Sequence, residues 1–177
     1  RSTIYDKMKA GTFPKPVKIG ERAVAWPESE INAWLEQRIA EQIKARNCHL
    51  IIAECCTDGN FSNLLNPSTL NDTTLHIDNI IAADRQELSI QLDYIEEELD
   101  TDAIRWERMI ANKLLTQFGS DLGLFIHKRR TSGGVQIIVT LATAKGISIA
   151  QRFFGGQPQS INDWASTLGL DHLHRWL

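Results

Sequence analysis

The order of apolar and polar residues predicts a short helix followed by a β-hairpin at the start of the chain. Within residues 1–10, Ile4 and Met8 lie four positions apart on one helical face, and Gly11 supplies a stop signal. Residues 12–26 instead alternate with a period of two on both sides of a central Gly-Glu pair, which indicates two short strands around a tight turn. Two prolines in the first of these strands confine it to an edge position.

A longer helix and then a less regular stretch follow the hairpin. Pro27 suits the first turn of a helix because its missing N–H needs no partner there, and an apolar stripe continues that helix to about Arg46. Residues 48–56, "CHLIIAECC", fit either a buried strand or the tail of a helix. Residues 57–79 are rich in Asn, Thr, Ser and Asp and predict a loop or linker. These signals together predict two domains, residues 1–50 and residues 57–177.

Helical and hairpin patterns recur in the second half of the chain. Residues 102–118 have apolar positions at helical spacing and a terminal Gly119, which predicts a helix. Residues 122–142 contain two apolar runs around a Thr-Ser-Gly-Gly turn and predict a second β-hairpin. The C-terminal residues predict two short helices separated by Gly169, whereas residues 88–99 fit a helix and a strand equally well.

Length and composition are those of an ordinary globular protein, and the pattern of elements predicts the α+β class. The chain has 177 residues, of which 42% are hydrophobic and 23% charged, enough for one large domain or two small ones. No apolar run approaches the roughly 18 residues that span a membrane, so a cytoplasmic protein without a membrane partner is expected. The three cysteines are odd in number and two are adjacent, which argues against a disulfide framework.

Charge is distributed unevenly along the chain. Residues 1–26 contain six basic and two acidic residues, a local charge of +4. Residues 57–125 contain thirteen acidic and four basic residues, whereas residues 126–155 contain five basic residues and no acidic ones. Such an asymmetry indicates one surface for a polyanion and another that avoids it, although solvated faces of an ordinary protein would give the same pattern.

The first helix and hairpin have the residue types that bind double-stranded DNA. The start of a helix can enter the major groove, where Arg recognises guanine and hydroxyl groups reach bases or phosphates. A basic hairpin beside it can follow the phosphate backbone. The competing interpretation is a surface helix and hairpin with incidental charge. The candidate DNA contacts are Arg1, Ser2, Thr3, Tyr5, Asp6, Lys7 and Lys9 on the helix, with Lys15, Lys18 and Arg22 on the hairpin.

The segment "RSTIYDKMKAGTFPKPVKIGERAVAWPESEINAWL" resembles the AlpA family of phage and mobile-element regulators, over about the first 40 residues. The matching features are the Arg-Ser-Thr-Ile-Tyr helix start, the Gly-Thr-Phe-Pro turn, the hairpin glycine and the later Trp-Leu pair. The resemblance implies a winged helix-turn-helix that controls transcription or excision. In that family a first helix precedes this segment and is missing from the present sequence. We expect either a trimmed or deleted N-terminus, or a substitute from another segment such as residues 160–170.

Other candidate chemistry is weak in the sequence, so no catalytic residue, metal or cofactor is predicted. His172 and His174 beside Asp171 are expected to be surface residues. The pairs Cys48-His49 and Cys55-Cys56 lack the spacing of zinc ligands, and buried small side chains are the expected role. His127 and the three bases after it are interpreted either as a second phosphate-contacting strand or as a charged edge strand.

The sequence therefore predicts a sequence-specific DNA-binding regulator of a phage, satellite or integrated element. Two alternatives stay open: a replication initiator or terminase small subunit, and an enzyme with a DNA-targeting head. The C-terminal α+β part is expected to form homo-oligomers or to bind a second phage or host protein. The helix at residues 102–118 and the hairpin at residues 122–142 are the expected contacts.

Overall fold

The structure is a computed structural model that describes residues 2–66, 74–94, 103–155 and 160–177. No helix in these ranges is long and apolar enough to cross a membrane. The helices are α1 (Ser2–Lys9), α2 (Glu28–Arg46), α3 (Asn60–Leu64), α4 (Arg85–Gln91), α5 (Ala103–Phe118) and α6 (Ile161–Trp176). The strands are β1 (Val17–Lys18), β2 (Val24–Ala25), β3 (Leu50–Cys55), β4 (Ile77–Ala82), β5 (Leu122–Thr131), β6 (Gly134–Thr143) and β7 (Gly146–Gly155).

Strands β3 to β7 form one mixed sheet, the large sheet, in the order β4-β3-β5-β6-β7. β3 pairs in parallel with β4 on one side and with β5 on the other, whereas β5, β6 and β7 are antiparallel. Parallel neighbours need crossover connections, and these contain α3 between β3 and β4, and α4 and α5 between β4 and β5. This arrangement confirms the predicted α+β class.

Helices cover the large sheet on both faces. Side chains alternate along each strand, so neighbouring residues enter different buried clusters. Leu50 and Ile52 of β3 pack with α2 and α6 in one buried cluster, on the side that we call the α2–α6 face. Ile51 and Ala53 pack with α5 in a second cluster, on the side that we call the α5 face. β3 is buried along its whole length. Of the two alternatives for residues 48–56, the buried strand is therefore confirmed.

α1 and the small hairpin form a separate region that precedes α2. In the hairpin, β1 and β2 are antiparallel, and the Ile19 N–H donates to the Ala23 carbonyl oxygen at 3.0 Å to close the turn. The predicted helix after the hairpin is present as α2, but Pro27 is its N-cap and lies just before the first turn rather than in it. We call residues 2–26 the head and the elements from α2 onward the body. The predicted helix and hairpin are thus present, while their identity as a winged helix-turn-helix stays a prediction.

The prediction of two C-terminal helices separated by Gly169 is wrong. Gly169 lies inside the continuous helix α6. A Cβ atom at this position would lie 2.8 Å from ring carbons of Phe61 and 2.9 Å from Cδ1 of Ile126. Glycine is therefore present because α6 approaches α3 and the large sheet closely. A glycine required by packing and a glycine that ends a helix look the same in a single sequence.

The interpretation of His127 and its basic neighbours as a charged edge strand is wrong, whereas their contact with phosphate stays a prediction. β5 is paired on both sides, with β3 and with β6, and His127 is only 3% exposed. Of the bases that follow, Lys128 donates to Oδ1 of Asn162 at 2.7 Å. The edge strands of the large sheet are β4 and β7, and neither was predicted as a strand from the sequence.

The predicted domain division crosses elements that pack together. Buried residues of α2 belong to the same cluster as β3 and α6. Thus α2 and β3 share a core with residues beyond 57, and the two-domain division stays a prediction. Residues 57–79 include α3 and the start of β4, rather than a loop throughout. The ambiguous residues 88–99 begin within α4, and those from 95 onward lie outside the described residues.

Candidate functional site

All the candidate DNA-contact side chains that the structure describes are exposed on the head. Tyr5, for example, is 51% exposed. Arg1 lies outside the described residues, and only the backbone of Ser2 and Thr3 is described, at the start of α1. The exposed candidates are Tyr5, Asp6, Lys7 and Lys9 on α1, and Lys15, Lys18 and Arg22 on or beside the hairpin.

Apolar side chains of the head are exposed as well. Ile4 is 45% exposed, and Val17, Ile19 and Val24 of the hairpin region are between 45% and 66% exposed. The segment considered as a substitute for a missing helix, residues 160–170, lies mostly in α6. That helix packs on α2 and the large sheet, and Ile4 stays 45% exposed.

Aromatic side chains attach the head to α2. The Phe13 ring lies edge-on to Trp34 of α2, with ring centroids 5.0 Å apart, and also contacts Trp26 at 6.1 Å. The Trp34 indole N–H donates to the carbonyl oxygen of Thr12 at 2.7 Å. On its other side Trp34 contacts His174 of α6, with ring centroids 5.4 Å apart. The head is therefore connected to the body through one tryptophan and its neighbours.

The C-terminal histidines have structural contacts of their own. Nε2 of His172 lies 2.9 Å from Oγ of Ser148 on β7, which links α6 to the outer strand. Asp171 forms an ion pair with Arg175 at 2.8 Å. Burial lowers the pKa of His172 and of His174, so both favour the neutral form in the folded chain.

A second group of reactive side chains lies at the carboxyl end of β3, on the α5 face. Cys55 stands opposite His127 in the parallel register of β3 and β5, and both side chains are buried. The Sγ atoms of Cys55 and Cys56 are 3.7 Å apart. Both sulfur atoms and a ring nitrogen of His127 lie within 4.8 Å of one another. We call these three residues the thiol–imidazole cluster.

The backbone after β3 is held by a buried carboxylate on the opposite face. Glu54, 1% exposed, accepts hydrogen bonds from Thr57 Oγ1 and from the Ser62 N–H, each at 2.6 Å. Between Glu54 and Ser62, Cys56 and Asp58 have positive φ angles of 64° and 60°. Non-glycine residues adopt this conformation rarely, so the turn that positions Cys56 is imposed by its surroundings.

The two thiols influence each other's ionisation. A hydrogen bond from the Cys55 thiol favours the Cys56 thiolate and lowers the pKa of Cys56 to about 7, with a smaller contribution from the Lys128 charge. Burial acts in the opposite direction. The same hydrogen bond and burial raise the pKa of Cys55. Cys56 is therefore the more acidic thiol of the pair.

The segment that contains α1, the hairpin and the start of α2 has a match among known protein families. Residues 1–39 match the family model of the prophage CP4-57 regulatory protein (AlpA). The AlpA resemblance inferred from the sequence is thus confirmed for this segment, which we call the AlpA-like segment. It is also 50% identical over 40 residues to uncharacterized protein ORF88 of Enterobacteria phage P4. That match covers 23% of this chain and 46% of ORF88, less than half of either protein.

The fold as a whole is similar to solved structures of another superfamily. A competence-damaged protein (CinA) superfamily protein from Escherichia coli aligns with a TM-score of 0.67 and 15% identity, over 91% of this chain and 99% of that one. One from Klebsiella pneumoniae aligns with a TM-score of 0.64 and 19% identity, over 81% and 96% of the two chains. At these identities the similarity establishes the fold alone. The chain therefore combines an AlpA-like segment with an overall fold similar to that of CinA-superfamily structures.

Sequence reasoning missed the thiol–imidazole cluster. Adjacent cysteines do not have the spacing of zinc ligands along the chain, so Cys55 and Cys56 were expected to be buried small side chains. Their partner His127 lies on the neighbouring strand, and the register of β3 and β5 was needed to bring it into view. A useful signal was present in the sequence: a run of buried apolar residues ended in two cysteines, at the kind of strand end where α/β proteins place their sites.

Proposed function

We propose that the protein is a DNA-binding regulator of a phage or integrated element, whose head binds double-stranded DNA. One combined observation supports this most strongly. The segment that matches the family of a prophage regulatory protein begins with α1 and a hairpin, on which every described candidate contact is exposed. Transcription or excision control is the proposed role, following the resemblance of this segment.

In the proposed complex α1 lies in the major groove and the hairpin lies along the backbone. Tyr5 is exposed on α1 and contacts base edges in this arrangement, while Lys7 and Lys9, exposed on the same helix, neutralise flanking phosphates. Lys15 and Lys18 on the hairpin add phosphate contacts that position the helix without reading sequence.

The head is better suited to DNA than the second basic stretch, residues 126–155. In that stretch Lys128 and Arg129 make hydrogen bonds within the protein, to Asn162 and Gln136 respectively. These bonds would be given up or shared on binding phosphate. The basic side chains of the hairpin are exposed and stand in the segment with a local charge of +4.

The body is proposed to bring two heads together by pairing two copies of the chain. A single small module buries only about 600–1,000 Å² on DNA, so such modules commonly act as dimers. The predicted contact hairpin, β5 with β6, lies inside the large sheet between β3 and β7. α5 exposes Met109 and Phe118, each 39% exposed, and is the proposed contact.

The test of DNA binding is the salt dependence of affinity for a random-sequence duplex, measured by fluorescence anisotropy with the full chain. The slope of log K against log salt is negative, and each lost phosphate contact reduces its magnitude by about 0.9. The triple variant Lys15→Ala, Lys18→Ala, Arg22→Ala should therefore lose about 2–3 units of slope.

A matched control removes three exposed bases from the body instead: Arg130→Ala, Lys145→Ala, Arg152→Ala. Both triple variants change the net charge equally, so a general charge effect would alter both slopes alike. The proposal requires the control to keep the wild-type slope. Equal losses in the two variants, or a larger loss in the control, would assign DNA binding to another surface.

A further inference from the structure

The carboxyl end of β3 brings together ligands that are far apart in the sequence. Cys55 and His127 are register partners on neighbouring parallel strands, so their side chains point to the same face of the large sheet. Adjacent residues of a regular strand point to opposite faces, and Cys56 would normally turn away from Cys55. Because Cys56 leaves the strand with a φ of 64°, its sulfur instead comes to the side of Cys55.

The separation of the two sulfur atoms fits a shared metal ion. Zinc binds thiolates at about 2.3 Å with tetrahedral geometry, which places two thiolate ligands about 3.8 Å apart. The Sγ atoms of Cys55 and Cys56 are 3.7 Å apart. A ring nitrogen of His127 lies within 4.8 Å of both sulfur atoms. A movement of the imidazole by about 1 Å toward the two sulfur atoms would place this nitrogen at a third corner of the tetrahedron.

The imidazole is oriented as metal-bound histidines are. Nδ1 of His127 is 2.9 Å from the Glu107 carboxylate, which is 1% exposed. A carboxylate on one ring nitrogen fixes the ring and leaves the other nitrogen as the ligand atom. Within the described residues, the second oxygen of Glu107 is buried without a hydrogen-bond partner. The Trp106 ring, 4.9 Å from His127, adds an apolar wall.

We propose that Cys55, Cys56 and His127 bind one divalent metal ion of the zinc class. Both cysteines bind as thiolates, and their two protons are released to solvent as the metal enters. Cys55 and His127 are buried, but Cys56 is only half-buried, so solvent reaches the site on that side. Water occupies the fourth position, as in zinc sites with three protein ligands. Glu107 is a positioning residue that acts through His127.

The probe is Co²⁺ alone, titrated into the reduced full chain, with Zn²⁺ then added as a competitor. Thiolate-bound Co²⁺ gives a charge-transfer band in the near ultraviolet, and tetrahedral coordination gives intense visible bands. The wild type should bind one Co²⁺ per chain with both signatures, and Zn²⁺ should abolish them. An octahedral spectrum without the charge-transfer band would overturn the proposal.

Three variants locate the site. Cys56→Ser should roughly halve the charge-transfer intensity and weaken Co²⁺ binding at least tenfold, since one thiolate of two is lost. Glu107→Gln should retain the charge-transfer band, because the ligands are unchanged, but weaken binding about 10- to 100-fold. Cys48→Ser removes the remaining cysteine, at the other end of β3, and should match the wild type.

Circular dichroism identifies any variant that fails to fold. The half-buried position of Cys56 makes Cys56→Ser the variant that keeps the test decisive if Glu107→Gln unfolds. A folded Cys56→Ser chain with wild-type Co²⁺ affinity, or a loss in Cys48→Ser equal to that in Cys56→Ser, would refute the assignment.

Discussion

The head and the body differ in where their defining residues lie. In the head, the candidate contacts and several apolar side chains are exposed, the strands are two residues long, and one tryptophan provides the main attachment to α2. In the body, two buried clusters cover both faces of the large sheet. The head therefore has a surface suited to contacts with other molecules, while the body contains most of the cooperative core.

The two comparisons also differ in extent: sequence similarity is found over about 40 residues, whereas the similarity of fold covers 81–91% of the chain. The AlpA-like segment is 50% identical to its phage relative. The chain as a whole aligns with CinA-superfamily structures at only 14–19% identity, yet with TM-scores of 0.60–0.67. Contacts with a partner depend on particular exposed residues, whereas a core accepts many apolar sequences of similar volume. Exposed contact residues can therefore be recognised by sequence identity, whereas a fold can be kept after the identity of its core residues has been lost.

The largest expected effect is on the stability of the body. Phe61 is completely buried on the α2–α6 face, where it packs against Gly169. Phe61→Ala should lower the free energy of unfolding by about 3–5 kcal/mol, because it removes a buried ring and leaves a cavity. Urea denaturation of the full chain measures this. The control is Phe153→Ala on β7, where the ring is 59% exposed and the expected change is within about 0.5 kcal/mol. Similar losses in both variants would contradict the assignment of the core.

A smaller effect is expected on recognition by the head. Tyr5→Ala should cost about 1–3 kcal/mol in binding to a duplex obtained by selection from a random library, and little on unselected duplex, if Tyr5 contacts base edges. Tyr5→Phe separates the hydroxyl from the ring. Loss of the same size on both duplexes would show that Tyr5 supports the fold or general affinity rather than direct recognition.

A pH effect on the body should be smaller still. Burial, with a smaller contribution from Arg175, lowers the pKa of His172 in the folded chain, against Ser148 and Asp171, which raise it. The unfolded chain then binds the proton more readily, so stability falls as pH decreases through the ordinary histidine value of about 6.5. His172→Gln should flatten the decline in unfolding free energy between about pH 7.5 and 5.5. Phe153→Ala, at an exposed position without a titratable group, is the control and should leave the slope unchanged.

Local signals in the sequence were sufficient for the elements they govern. The helix ending at Gly119, the hairpin of β5 and β6, and the start of α2 after Pro27 all follow from residue patterns within a few positions. What the sequence did not provide was pairing between distant strands. The interior position of β5, the packing role of Gly169 and the thiol–imidazole cluster each depend on residues more than 40 positions apart. Such contacts are set by tertiary packing, which no local pattern encodes.

The central claim is that the head, and not the body, binds DNA. The most direct measurement is amide hydrogen exchange of the full chain with and without duplex DNA, followed by mass spectrometry of peptides. We predict slower exchange on addition of DNA in peptides from residues 2–26, and unchanged exchange in those from β5 to β7, which include the second basic stretch. Protection of the β5–β7 peptides with an unchanged head would contradict the account.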